Sequence, residues 1–453
     1  MKLKGSITAF LSLIFLLLLS FVGGMLEATS LEVSKNYKRA DMDIAIHSVF
    51  GEYQIELLKK YDIFALEGTY ESGHFSYETI FERLKYYGGG EANREMEGIQ
   101  FLSDDNGRAF LEQVAAYMAS KVGLEDAQRW EEQTTQAWET SKEKEISYEN
   151  ETTAVELELD DSLAENEEEL PKEDNPIFEI SKIKGTGLLS FLISDQKNIS
   201  DFQVELEKLP SNRELRQGRG SFLQKESNVL TTFALNQYLI EHFACYTDEE
   251  KSNWQYELEY LIAGKGSDQE NLENVVGKLA AMRFGPNYAH LLSDGAKQLE
   301  AETLAISLCA ILTVPAISAI VKQAILLAWA YAESLMDVKS LLENKKVQMV
   351  KTAENWQLSI GNLLKIGTDE FQSEGKDMEG GQDYKDYLRI LLYLESRPKL
   401  SMGALDLIET NLRDEEALEF FRVDACVSKI KIQNQYELRR SIKYNFFTEF
   451  YYQ

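Results

Sequence analysis

The chain has 453 residues, 76 acidic against 47 basic side chains, and a formal charge of −29. That length holds two or three domains with ample core, and so acidic a chain repels nucleic acid and anionic head groups, so both are excluded as partners. Three widely spaced cysteines and four histidines, none paired at ligand spacing, argue against a disulfide framework and a zinc site, and no cofactor is expected.

The first predicted element governs the rest. Ile7 to Leu26, ITAFLSLIFLLLLSFVGGML, is twenty residues without a charge. As a helix it reaches ~30 Å, the hydrocarbon thickness of a bilayer. Lys2 and Lys4 precede it, and a basic flank favours keeping that end in the cytoplasm with the bulk of the chain outside. An uncleaved anchor fits these residues, and so does a secretory signal cut near Val22-Gly23-Gly24. Glu27 to Tyr61 then holds no proline and one glycine, Gly51, so helix is expected to run on to Tyr61, ~80 Å in all. Two apolar stripes follow it. One is Val33, Tyr37, Ala40, Ile44, His47, Gly51, Ile55 and Leu58; the other is Met42, Ile46, Val49, Tyr53 and Leu57. Glu32, Lys35, Lys38 and Arg39 read as a solvated face beside the head groups.

KGSITAFLSLIFLLLL with a long amphipathic helix behind it resembles the N-terminus of pilin-like proteins of the tight-adherence (TadE/TadG) pilus assembly systems. ADMDIAIHSVFGEYQIELLKKYDIFAL, ILLAWAYAESLMDVKSLLENKKVQMVKTAENWQLSIGNLL and YLRILLYLESRPKLSMGALDLIETNLR resemble an uncharacterised clostridial family of membrane-anchored proteins related to those components. The resemblance implies a place and a process, not a reaction. It adds a third treatment of the leader, cleavage between Gly5 and Ser6, although Phe10 stands where such leaders carry glutamate.

Further along, DIFALE at Asp62–Glu67 reads as a short extended run, residues 76–87 and 108–122 as helices, and SDDNGRAF as a turn with a helix start. Glu143 to Asp174 carries fourteen acids and two bases and reads as a solvated insert. Residues 177–193 read as strand, turn, strand; Val229–Tyr246 as a buried helix; Trp254–Leu261 as a strand. A helix capped at Ser267 or Asp268 comes next. Thr303–Val321 is nineteen residues without a charge, but it is rich in Ala, Ser and Thr and interrupted by Pro315, so a helical hairpin is expected and not a second span. Residues 346–364 read as a short strand, a turn and another extended piece, 384–396 and 401–411 as helices with Ser401 as an N-cap, and the aromatic tail as closing strands paired with 177–193 or 254–262.

The fold class is therefore α+β. The expected division is stub and anchor 1–27, amphipathic helix 28–62, first part of the outer domain 63–124, acidic insert 125–176, and main outer domain 177–453. No GxSxG, HExxH or GxxxxGK[ST] occurs. The only unusual acids are Glu333 and Asp337, four apart on an apolar helix: a buried acid pair, a pairing with lysine or arginine, or simply the helix's exposed face. The expected function is a membrane-anchored structural or assembly component whose partners are the membrane and other pilin-like proteins. The alternative is a membrane-tethered enzyme or ligand-binding receptor with a pocket beside the central hairpin.

Overall fold

The computed structural model describes residues 4–121, 152–164, 170–193, 199–222, 229–249, 251–312, 317–368, 371 and 374–452. They fall into two units. The first comprises Met1–Gln113, Glu214–Glu226 and Ile408–Gln453; the second comprises Val114–Arg213 and Ser227–Leu407. The fold is α+β, with a long N-terminal helix, a helical unit and a small sheet.

In the first unit α1, Lys4–Phe50, is one element, and Phe10 to Leu26 along it holds only exposed apolar side chains among its large residues. It is long and apolar enough to cross a membrane. The helix does not continue to Tyr61. It stops before Gly51, which weakens a helix by ~1 kcal/mol relative to alanine, and a new helix starts when the Gln54 side chain accepts from Glu56 N–H at 3.2 Å. That second helix is α2, Ile55–Tyr61. Burial, not the break, tells the two stripes apart. Met42, Ile46, Val49 and Leu57 are buried, whereas Val33, Tyr37 and Ile44 stand exposed.

The buried stripe sits on a four-stranded antiparallel sheet. Its members are β1 (Leu66–Glu67), β2 (Asn93–Phe101), β3 (Cys426–Glu437) and β4 (Lys443–Tyr451), and β3 pairs with each of the others. Period-two alternation carries Ile430, Ile432 and Tyr436 into one core with Met42, Ile46, Val49 and Phe50. Helix α3, Tyr77–Leu84, adds Ile80 and Leu84 to it. The tail thus makes strands, but it pairs with β1, β2 and itself, not with 177–193 or 254–262. Strand β2 is missing from the sequence reading because a register shift at Met96/Gly98 breaks its alternation. Lys35, Lys38 and Arg39 do not make a plain solvated face: their cations lie 5.7, 5.5 and 5.4 Å from the ring centres of Tyr444, Tyr436 and Phe446. Within the first turn of α4, Asp104–Lys121, the residues Asp105, Asn106 and Gly107 have φ of 51°, 58° and 77°. Those residue types tolerate that left-handed turn best.

The second unit is helical. Residues 152–164 form α5, within the acidic insert; residues 125–151 and 165–169 of that insert lie outside the described residues. The expected strand–turn–strand at 177–193 is two helices, α6 (Pro176–Thr186) and α7 (Leu188–Leu192). Asn175 caps the first, with Pro176 in its first turn, a start signal that outweighs the β-branched residues behind it. Helix α8, Val229–His242, is followed by α9, Glu257–Ala263, where a strand was expected. Alternation failed there because α9 is buried on all sides, acids included.

Three long helices follow: α10 (Asp268–Ser293), capped by Ser267, α11 (Gly295–Leu312) and α12 (Ser318–Leu342). Thr303–Val321 is thus split between two helices; 313–316, with Pro315, lie outside the described residues. The alanines of α12 bring it close to α10, where Asn287 Nδ2 donates to Ser334 Oγ at 3.0 Å. Of the expected extended pieces after α12, one antiparallel bridge forms, Val347 with Gln382, and α13 is Ile360–Leu363. Helix α14, Tyr384–Leu394, starts in a capping box of Asp383 and Asp386. Helix α15 is Arg397–Glu415, so Ser401 lies inside it and is not its N-cap; Pro398 is tolerated in the first turn, where no intrahelical donor is needed.

Candidate functional site

Glu333 and Asp337 lie one turn apart on α12 and are both fully buried. Lys351, from the segment after α12, sits between them with Nζ 2.6 Å from Glu333 Oε1 and 2.7 Å from Asp337 Oδ1. From α10, Arg283 donates through Nε to Asp337 Oδ2 at 3.0 Å, and Asn287 Nδ2 donates to the same oxygen at 3.1 Å. Gln357 completes the shell, its N–H on Glu333 Oε1 at 2.8 Å and its Nε2 on Asp337 Oδ1 at 3.0 Å. Leu358 N–H donates to Glu333 Oε2 at 2.8 Å. Two acids therefore face two bases, and each carboxylate oxygen has at least one donor.

Burial raises the Glu333 carboxyl, and the opposing Lys351 charge does not fully offset it. At Asp337 burial is outweighed by the Arg283 and Lys351 charges, and the carboxyl is held below its ordinary range. Two acids one turn apart are thus shifted in opposite directions, a pattern that in an open cleft would mark an acid–base pair. Here there is no cleft. Both carboxyls and the Lys351 side chain are closed to solvent. What the arrangement does is hold the 347–358 segment against α10 and α12.

The same device recurs where the sequence gave no hint of it. Glu259 accepts from Tyr246 N–H at 2.9 Å and from Tyr384 OH at 2.8 Å, and burial pushes its carboxyl up to about 7. Glu257 holds Ala244 N–H at 2.7 Å; Asp268 holds Gln255 N–H at 3.1 Å and Ser200 Oγ at 2.5 Å; Asp406 holds Ser211 N–H at 2.8 Å. In the first unit Asp104 takes Phe101 N–H at 2.7 Å and Gly218 N–H at 3.0 Å. Each of these buried carboxylates accepts from backbone N–H groups, all of them in loops except that of Phe101 at the end of β2. Nothing in the sequence singles these out among 76 acids, their partners lying anywhere from 3 to 195 residues away.

Gly5 lies at the start of α1 with Ser6, and the side chains of both lie outside the described residues. Among the described residues no group of three or more metal-ligating side chains comes together. A cavity of about 680 Å³ opens beside α12, with Ile177, Ile180, Phe284, Leu327 and Tyr331 in its lining. At its rim Lys184 lies 3.9 Å from Glu156 and 4.8 Å from the Tyr331 ring centre.

No curated protein and no solved structure matches the chain. A family model described as a family of unknown function, DUF5702, matches residues 166–438. That match takes in α6 to α15 and β3, more than half of the sequence, and the chain belongs to this family.

Proposed function

We propose that the chain is a membrane-anchored structural component of a cell-surface system, pilin-like or assembly-associated in the manner of TadE/TadG proteins, with its N-terminus in the cytoplasm and its bulk outside. The observation that carries this reading is α1. Its exposed apolar half runs, without a break in helical structure, into a half whose buried stripe is part of the first unit's core. A detachable signal would have no reason to share a helix with the fold's own core. The exposed stripe of Val33, Tyr37 and Ile44 offers other membrane helices a contact. The Glu333–Asp337 cluster, closed and internally paired, favours a mechanical role over acid–base chemistry.

The test is topological. In intact cells, added protease should degrade the body while the chain fractionates with membranes, and N-terminal sequencing should find a start before Ile7. A body shielded from protease, or a mature chain starting beyond Met25, overturns the reading. The cavity beside α12 supports the second reading, a tethered ligand-binding receptor. Ligand-dependent protection of Tyr331 and Lys184 from modification would favour it.

A further inference from the structure

Strand β4 has an edge that its own sheet does not use. Two bonds fix which of its backbone groups face β3. Leu438 N–H donates to the Ile442 carbonyl at 2.8 Å, and Tyr452 N–H to the Ser428 carbonyl at 3.3 Å. Both pairs continue the register of β3 with β4, so the even-numbered residues of β4 exchange bonds with β3 and the odd-numbered ones point theirs away. The outward row is Lys443, Asn445, Phe447, Glu449 and Tyr451, and every member is exposed. The strand pairs with β3, and among the described residues no other backbone group bonds to its outward edge. Such an edge is a template for another strand, and this one lacks two of the usual guards: it holds no proline, and its ladder with β3 has no bulge.

We propose that β4 pairs antiparallel with β4 of a second copy of this chain. The charges select the occupant. With Lys443 opposite Glu449 of the second copy, two-fold symmetry also sets Glu449 opposite Lys443 of the second copy, so both charges of the row are met at once. A different strand would need an acid and a base at the same spacing in reverse order. Glu449 already pairs with Lys431 of β3 at 2.5 Å, and one carboxylate has room for both donors. In this register Asn445 opposes Phe447, and the outward residues from Lys443 to Glu449 exchange roughly eight backbone hydrogen bonds. The two Phe447 rings, each 54% exposed in a single chain, become diagonal neighbours ~7–8 Å apart, within aromatic reach. Exposed ion pairs add little affinity, whereas like charges directly opposite are unfavourable, so the charges set the register and the backbone supplies the bonds. Helix α1 runs beside β4 in the same direction, with Lys35 at Tyr444, Arg39 at Phe446 and His47 at Phe450. Antiparallel pairing therefore sends the apolar runs of the two α1 helices opposite ways. On the anchored reading, on which this last step alone rests, the paired copies belong to two bilayers that face each other.

The experiment uses the full chain, in detergent and in phosphatidylcholine vesicles. Asn445→Cys and Phe447→Cys are made in separate chains; the native cysteines are buried. Cα atoms directly opposite across the pair lie ~5.5 Å apart, within disulfide reach, and diagonal ones do not. Under mild oxidation a mixture of the two variants should therefore give a reducible dimer at several-fold the yield of either alone. Lys443→Glu should cut that yield several-fold without moving the melting temperature, and Glu449→Lys added to the same chain should restore it. Equal yields from the mixture and the single variants overturn the proposal. In crude membrane extract, adducts to a different polypeptide in place of the dimer assign the edge to another partner and overturn it equally. The unsubstituted chain should also cluster vesicles, and Lys443→Glu should not. Flotation reports the anchor: a chain that floats but gives no mixed dimer refutes the pairing alone, and one that gives the dimer but does not float refutes the anchored reading alone. A dimer that floats without clustering vesicles refutes the facing arrangement.

Discussion

Asp337 is where one substitution should matter most. It holds Arg283, Lys351, Asn287 and Gln357 at once, and Asp337→Ala would leave Arg283 buried without its carboxylate. Breaking a buried ion pair from one side costs about 3–5 kcal/mol, so denaturant unfolding should show a loss of that size. Glu259 makes the second residue-scale prediction. The unfolded chain ionises it above its ordinary value of 4.5, whereas the folded chain keeps it neutral up to about pH 7. The folded state then binds the extra proton, so its stability falls as pH rises from 4.5 to 7, by at most ~3 kcal/mol. Glu259→Gln should remove that slope, and the difference between the two stability–pH curves isolates this group from other buried acids. Glu333 and Asp337 were legible as acids on an apolar helix. Their partners were not: Arg283 lies 54 residues from Asp337, and nothing in the sequence selects it from 47 bases.

Elements with a long apolar run, a clear cap or helical spacing were legible: the first half of α1, α8, α10 and α14 stand where the sequence places helices. Those that failed share a cause. α9 and β2 are short, and their side-chain pattern is set by contacts on several faces, so period alone gives the wrong type or none. The edge of β2 illustrates what closes the gap. Ile99 exchanges both backbone hydrogen bonds with Arg219 at 2.9 Å, and Gly218 lets that segment approach. A Cβ at Gly218 would lie 2.2 Å from Asp104 Oδ2 and 2.4 Å from the Ile99 carbonyl. Gly218→Ala must therefore push the segment off β2 or move Asp104 from the N–H groups it holds. A loss of about 1–3 kcal/mol is expected, with faster amide exchange at Ile99 and Arg219 as its local signature. A mutant with wild-type exchange there would show that the contact holds nothing in place.

For the whole chain, the two stripes of α1 pose the sharpest question. Both are apolar enough to pack, and sequence did not say which one the fold consumes. Burial of Met42, Ile46 and Val49 decides it and leaves Val33, Tyr37 and Ile44 facing outward, spaced by four and seven. An exposed row at that spacing, on the helix that also carries the apolar run, is placed for a neighbouring helix that leaves the same bilayer. A photo-cross-linking side chain at Tyr37 should accordingly give intermolecular adducts in native membranes. The same group at Glu32, also exposed but five residues back and well round the helix, should give few. Ile44→Asp should abolish the Tyr37 adducts while changing folding stability by no more than about 0.5 kcal/mol, because the residue touches no core. Equal adduct yields from the two positions would mean that α1 has no preferred face beyond the membrane, and the assembly role would lose its support.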